Sequence, residues 1–268
     1  MEELRFLHVD CTYVSEDEVS NWSFDEVDLH LPNALRFLSW LGYPFSSLPK
    51  TFQPKNLVGL EMELGNLVQL WKDGEEKVFY KLRFLKFMDS NLTTLDLGIT
   101  PNLETLSLDN CTDMVELKTP AEYIKTLPDS ICMLKHLKSL KLASCLLLEK
   151  LTVDIGRLEC LESLILSNCT LLQDLPNSIH EMKCLKSLEL TYCIQVEKLP
   201  EAIGRLDCLK ELNILGSGIS HLPHSLYGLR GLRIIGDRRL LESCGLTPKR
   251  RRMSDKDSAF DDEMVCDI

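Results

Sequence analysis

The apolar positions of this chain repeat at a fixed interval. Four segments align without a gap: Leu137-x-x-Leu140-x-Leu142-x-x-Cys145, Leu161-x-x-Leu164-x-Leu166-x-x-Cys169, Leu185-x-x-Leu188-x-Leu190-x-x-Cys193 and Leu209-x-x-Leu212-x-Ile214-x-x-Ser217. Their starts lie 24 residues apart, and Leu232 follows after 23. Inside each segment, x-Leu-x-Leu-x alternates with period 2, which predicts a short strand with both leucines on one face. Leu140 and Leu142 then point inward, while Ser139, Lys141 and Ala143 point to solvent. A second apolar set, such as Leu148, Leu151, Ile155 and Leu158, predicts the opposite wall of the same coil. One coil alone cannot bury both sets. Stacked coils can, with each large side chain contributing roughly 1.5–3 kcal/mol.

Earlier segments fill the same three slots less regularly: Leu4/Leu7/Val9, Leu35/Leu38/Trp40, Leu57/Leu60/Met62, Leu82/Leu85/Phe87 and Leu103/Leu106/Leu108, spaced by 31, 22, 25 and 21 residues. The acidic stretch 15–28 accounts for the long first interval and reads as an exposed loop. Leu103 to Leu137 spans 34 residues. Its surplus, around 117–128, reads as a loop insertion or a degenerate partial repeat. The pattern L-x-x-L-x-L-x-x-N/C at this period marks a leucine-rich repeat. The expected fold is therefore α/β: a leucine-rich-repeat solenoid (horseshoe), with a parallel β-sheet on the concave face and short helical or irregular segments on the convex one. About nine coils predict a strand ladder about 40 Å long at ~4.8 Å per strand. The solenoid is assigned to 1–243, irregular before 137 and regular over 137–232. Residues 244–268 shift to Thr-Pro-Lys-Arg-Arg-Arg and then to Ser, Asp and Glu, and are assigned as a disordered charged tail.

Composition changes the picture in three ways. Leucine supplies 53 of the 268 residues, an excess that the repeats explain. The net charge is −11, from 30 Lys+Arg and 41 Asp+Glu, and an acidic body is a poor binder of phosphates, so nucleic acid is not expected as a partner. No apolar run approaches ~18 residues, so no membrane span is expected. Met1-Glu2-Glu3-Leu4-Arg5 has no apolar segment after it that would make a secretory signal. A cytoplasmic location follows as the expectation.

The second half of each coil reads Leu175-Pro-Asn-Ser-Ile179, Leu199-Pro-Glu-Ala-Ile203-Gly-Arg-Leu206 and Leu222-Pro-His-Ser-Leu226-Tyr-Gly-Leu229. This L-P-x-x-I-G-x-L style is typical of intracellular leucine-rich repeats, and the G-x-I-P of plant receptor ectodomains is absent. Three phrases follow in order near the start: Leu31-Pro-Asn-Ala-Leu-Arg-Phe-Leu-Ser-Trp40-Leu-Gly-Tyr43-Pro44 with Ser47-Leu48-Pro49, then Phe52-Gln-Pro-Lys-Asn-Leu57-Val58, then Leu67-Val-Gln-Leu70-Trp71. Over about Leu4 to Leu117 this string closely resembles the opening repeats of plant intracellular immune receptors of the TIR-nucleotide-binding-leucine-rich-repeat type. The resemblance implies a module that reads a pathogen effector or a guarded host protein and restrains a nucleotide-binding switch. No G-x-x-x-x-G-K-[ST] phosphate loop is present, and no stretch has room for a TIR domain. The chain is thus expected to be a repeat-only fragment, a truncated product, or part of a longer receptor.

Candidate chemistry is sparse. Cys111, Cys145, Cys169 and Cys193 share one repeat slot, and Cys160, Cys184 and Cys208 share another, with His136 aligned to the second. The first ladder reads as buried filler whose thiols donate weakly to turn backbone. Without a secretory signal, free thiols are expected rather than disulfides, although neighbours within a ladder stand one coil apart. No C-x-x-C occurs, His221 and His224 have no third ligand, and no Ser/His/Asp set is apparent. No metal, no cofactor and no catalytic residue are therefore assigned, and the chain is not expected to be an enzyme. Four N-x-S/T sequons, at Asn21, Asn91, Asn110 and Asn168, read as chance matches. Lys249-Arg-Arg-Arg252 is a short basic run that could serve as a nuclear import signal. Cys266 is third from the end, not fourth as prenylation needs.

The solvent side of the strands carries the functional expectation. Solenoids use that face as a preformed binding surface. The residues assigned to contact a protein partner are Phe37, Glu61, Glu63, Phe84, Lys86, Met88, Asp109, Lys141, Ile165, Glu189, Tyr192, Glu211 and Asn213. Several are apolar where solvation would favour polar side chains, which is the mark of a protein-binding patch. Trp40 and Trp71 are expected to pack. The partner is a pathogen effector, a guarded host protein or a receptor's nucleotide-binding domain. The alternative is a general intracellular scaffold similar to Ras-pathway leucine-rich-repeat adaptors.

Overall fold

The structure is a computed structural model, and it describes residues 3–11, 29–72, 77–90, 92, 95–111, 127, 129–250 and 263–268. The expected loops at 15–28 and most of 117–128 lie outside the described residues. The chain divides into two compact units, Met1–Ile124 and Lys125–Ile268.

In the first unit, β1 (Phe6–Asp10), β2 (Phe37–Leu41), β3 (Gly59–Glu63), β4 (Phe84–Met88) and β5 (Thr105–Asp109) pair in chain order, all parallel. Register puts Leu7, Leu38, Leu60, Leu85 and Leu106 in one row, and Val9, Trp40, Met62, Phe87 and Leu108 in the next inward row. Leu38, Leu60, Leu85 and Leu106 are fully buried. Period-2 alternation thus aims this leucine row at the core, as the sequence pattern requires, with Leu7 at its end half-buried.

The second unit repeats this with β6 (Ser139–Lys141), β7 (Ser163–Ile165), β8 (Ser187–Glu189), β9 (Glu211–Asn213) and β10 (Arg233–Asp237). Leu140, Leu164, Leu188, Leu212 and Ile234 stand directly one above another, each fully buried. This is a leucine-rich-repeat fold. The return side of the coils is made of 3-10 turns, which close in fewer residues than an α-helix and suit a coil of 24. Pro176, Pro200 and Pro223 enter the turns Asn177–Glu181, Glu201–Arg205 and His224–Gly228. Each proline carbonyl accepts from the buried apolar residue three on, Ile179, Ile203 or Leu226, at 3.0–3.1 Å. Proline needs no donor there, and its φ is already set for the turn. The glycine of the I-G step has a packing reason. A Cβ on Gly156 would fall 2.1 Å from the Ser178 carbonyl, and one on Gly204 would fall 2.3 Å from that of Ser225, both in the next coil.

The chain leaves each of the strands β2 to β9 through a left-handed corner. The corners are Gly42, Leu64, Asp89 and Asn110 in the first unit, and Ser144, Asn168, Tyr192 and Gly216 in the second, with φ of 47–75°. The corner amides of Ser144, Asn168 and Tyr192 donate to Ser167, Thr191 and Leu215 carbonyls at 2.7–2.8 Å, which extends the ladder past the strand ends.

The end of the chain corrects the expected tail. After helix α1 (Arg238–Ser243), β11 (Lys249–Arg250) pairs with β12 (Glu263–Asp267), and β12 runs antiparallel along β10. Residues 263–268 are therefore ordered sheet, not disordered tail. The physical reason is the open edge of the last parallel strand, which any strand with a matching apolar alternation can cover. Met264 and Cys266 supply that alternation, buried with Cys266 opposite Ile234. Ile268 closes the pairing through bonds to Leu232 and Gly231 at 2.8 and 2.7 Å. Residues 251–262, including the rest of the basic run, lie outside the described residues.

Candidate protein-binding face

The solvent side of the first unit's strands forms three cross-strand rows. The first row is Phe6, Phe37, Gly59, Phe84 and Thr105. Phe6 is 69% exposed and stacks on Phe37 with ring centroids 5.9 Å apart. The Phe37 ring lies over Gly59, where a Cβ would fall 2.1 Å from it. Phe84, 45% exposed, continues the row on the far side of Gly59. Phe6 is not among the residues assigned from the sequence. Its signal was available, because Phe6, Phe37 and Phe84 each directly precede a first inward leucine.

The second row is His8, Ser39, Glu61, Lys86 and Ser107, and the third is Asp10, Leu41, Glu63, Met88 and Asp109. Lys86 makes an ion pair with Glu63 across one strand step. The hydrogen bond that Lys86 donates to Glu63 holds its ammonium above its ordinary value against the opposing effect of burial, and Glu61 and Asp109 add to the rise. One cation therefore sits among three carboxylates, and the centre of this face is negative. His8 Nδ1 and Ser39 Oγ are 3.1 Å apart. Asp109 departs from expectation. It is 6% exposed, and Ser107 Oγ donates to its Oδ2 at 3.1 Å. Its carboxylate shapes the field of the face without presenting itself to a partner.

In the second unit, Lys141, Ile165, Glu189, Asn213 and Ile235 form one row, and Ser139, Ser163, Ser187, Glu211 and Arg233 the other. Lys141, Ile165, Glu189, Glu211 and Asn213 are all half-buried on the sheet face. Glu189 is held in place by Ser167 Oγ at 2.5 Å and Thr191 Oγ1 at 3.3 Å. Arg233 lies between Glu211, at 3.9 Å, and Asp267, at 3.7 Å. Tyr192 is not on a strand row. It is a left-handed corner, and its ring covers Gly216, whose Cβ would fall 2.4 Å from it. Only glycine provides both the space and the φ of +64° at that position.

The remaining candidates are structural. Cys169 and Cys193 thiols donate to the Leu142 and Leu166 carbonyls of the preceding coil at 3.0 and 2.9 Å. Burial pushes Cys169 up to about 12 and Cys193 up to about 11, so both are inert donors. Cys111 plays the same part near the Phe87 carbonyl in the first unit. The corner Asn168 bonds Ser144 Oγ at 3.1 Å, which is the use this structure makes of a sequon asparagine. Trp40 packs edge-on to Tyr43, and Trp71 stacks on Phe79 with Lys77 Nζ 4.7 Å above its ring. Among the described residues no group of three His, Cys, Asp or Glu could hold a metal ion, and no helix is long and apolar enough to cross a membrane.

Stacked coils, inward leucine columns and a solvent-facing strand ladder define a leucine-rich-repeat protein. The Leucine Rich Repeat family model matches residues 160–182. The chain is similar to the plant disease resistance proteins of the TIR-NBS-LRR type. Disease resistance protein RPS6 of Arabidopsis thaliana is 36% identical over 134 residues, covering 48% of this chain and 11% of that protein. Disease resistance protein RML1B of the same plant is 35% identical over 151 residues, 54% of this chain and 13% of that protein. The chain thus spans about a tenth of the length of the relatives it matches. Internalin C2 of Listeria monocytogenes shares the fold, with a TM-score of 0.56 at 16% identity over 75% of this chain and 79% of that one.

Proposed function

We propose that this chain is the protein-recognition module of a plant innate-immune receptor, and that it works without catalysis in the cytoplasm. It reads a pathogen effector or a guarded host protein, and it restrains a nucleotide-binding switch whose phosphate loop is not among these 268 residues. The observation that carries the reading is the aromatic row Phe6–Phe37–Phe84, exposed at Phe6 and Phe84 and half-buried at Phe37, beside a carboxylate cluster, on repeats similar to those of disease resistance proteins. Aromatic side chains give large contact area for little lost conformational freedom, and they dominate the energetics of protein interfaces. Glu61, Glu63 and Asp109 around the single Lys86 set a negative field that favours a basic partner and steers its approach.

Co-immunoprecipitation tests this reading. The tagged chain would be co-expressed with the nucleotide-binding domains of RPS6 and RML1B, beside a Phe37→Ala/Phe84→Ala variant. Recovery of the domain is expected to fall about tenfold or more in the variant, as for loss of two interface anchors. A variant that folds like the parent and retains full recovery would refute the face. No recovery by the parent itself would favour the scaffold alternative.

A further inference from the structure

The two cysteine ladders of the second unit are chemically opposite. Cys169 and Cys193 are buried and bonded to carbonyls, whereas Cys160, Cys184 and Cys208 are all exposed and all free. The exposed three occupy identical frames on consecutive coils. Each is presented by a tight turn between two buried anchors: Leu158 and Leu161, Met182 and Leu185, Leu206 and Leu209. The turns close with amide-to-carbonyl bonds of 3.0, 3.2 and 2.8 Å between those anchors. Two residues further on, the coils are locked in register. Glu162 N donates to the Lys138 carbonyl, Lys186 N to that of Glu162 and Lys210 N to that of Lys186, each at 2.8 Å. Ladder pairing of this kind sets neighbouring backbones about 5 Å apart. That separation is inside the Cα range a disulfide needs, while alternate coils, at about 10 Å, are outside it. The Lys186 ammonium pairs with Glu162 at 2.6 Å and also interacts with the sulfurs of both Cys184 and Cys208.

We propose that Cys184 is a thiol-disulfide exchange site that staples its coil to the next through Cys208, with a low-molecular-weight disulfide as the oxidant. In the first step the Cys184 thiol gives its proton to solvent, and the thiolate attacks one sulfur of the external disulfide. A mixed disulfide forms and one small thiolate leaves. In the second step the Cys208 thiolate attacks Cys184 Sγ and the other small thiolate leaves. Two protein thiols are oxidised and one external disulfide is reduced to two thiols. Cys160 is the second partner within reach of Cys184, on the opposite coil.

The test treats the full native chain with glutathione disulfide, blocks remaining thiols, and maps tryptic peptides by mass spectrometry without reduction. The expected product has lost two hydrogens, about 2 Da, and links the peptide 184–186 to 206–210. Cys208→Ser is expected to move the link to Cys160, in the peptide 158–183. Cys184→Ser is expected to abolish every link among the three sites, because Cys160 and Cys208 are two coils apart. Glutathione adducts at all three positions without a link would overturn the proposal. So would a Cys160–Cys208 link in Cys184→Ser, or the same link pattern from chain unfolded in urea.

Discussion

At the scale of single residues, the fold gives one residue type two fates. The thiols of Cys169 and Cys193 lie inside the stacked turns, and burial lifts them to about 12 and about 11 from an ordinary 9.0. The unfolded chain therefore ionises first as pH rises. The stability these thiols contribute is complete below about pH 9 and is lost as pH climbs through their native values. The urea midpoint of the parent is expected to fall more steeply between pH 9 and 11 than that of a Cys169→Ser/Cys193→Ser variant. Equal slopes, measured by circular dichroism, would contradict the burial argument. Position 216 offers a second residue-scale test. Gly216→Ala should destabilise the chain through both its left-handed φ and its clash with the Tyr192 ring. Adding Tyr192→Ala removes only the clash, so the double variant is expected to recover part of the lost stability and leave the backbone strain behind.

Strands and turns follow a simpler logic. A three-residue strand such as β7 cannot stand alone; it exists because β6 and β8 pair on either side and Leu164 drops into the shared column. The strand β12 is joined to the repeats along β10 alone and carries the two-residue β11 on its other side. Deleting residues 263–268 would uncover the β10 edge. An open, apolar strand edge recruits other strands, so the shortened chain is expected to form dimers or larger species in a concentration-dependent way. Light scattering after size exclusion checks this, and a shortened chain as monodisperse as the parent would count against an edge-covering role.

For the molecule as a whole, the repeat architecture makes stability a sum over neighbours. Leu164→Asp places a carboxylate in a fully buried column, and no partner for it is near in the rows of leucine around it. Coils β6 to β8 are expected to lose amide protection together in hydrogen exchange, with the loss fading outward along the ladder. Protection in β1–β5, which belong to the other compact unit, should hold. Wild-type exchange across β6–β8 would mean the assigned register is wrong.

The inward columns were legible because a leucine spacing of 24 leaves few ways to bury both walls of a coil. The L-P-x-x-I-G-x-L phrase likewise announced its turns, since proline and glycine each have a local reason to be there. Other features had no local sign. Asp109 falls in a solvent-side slot by alternation, yet neighbouring packing buries it. Tyr192 is adjacent to the strand in sequence, but the corner turns it away from the strand rows. The last six residues read as charged tail, because their alternation is too short to distinguish from chance until an edge is present for it to pair with. Period and residue type are properties of the chain taken a few residues at a time, and they settled the coil, its core and its repeat. Which side chains remain exposed, which thiols can react and what covers the last edge depend on neighbours distant in sequence. Those features were decided only when the coils stacked.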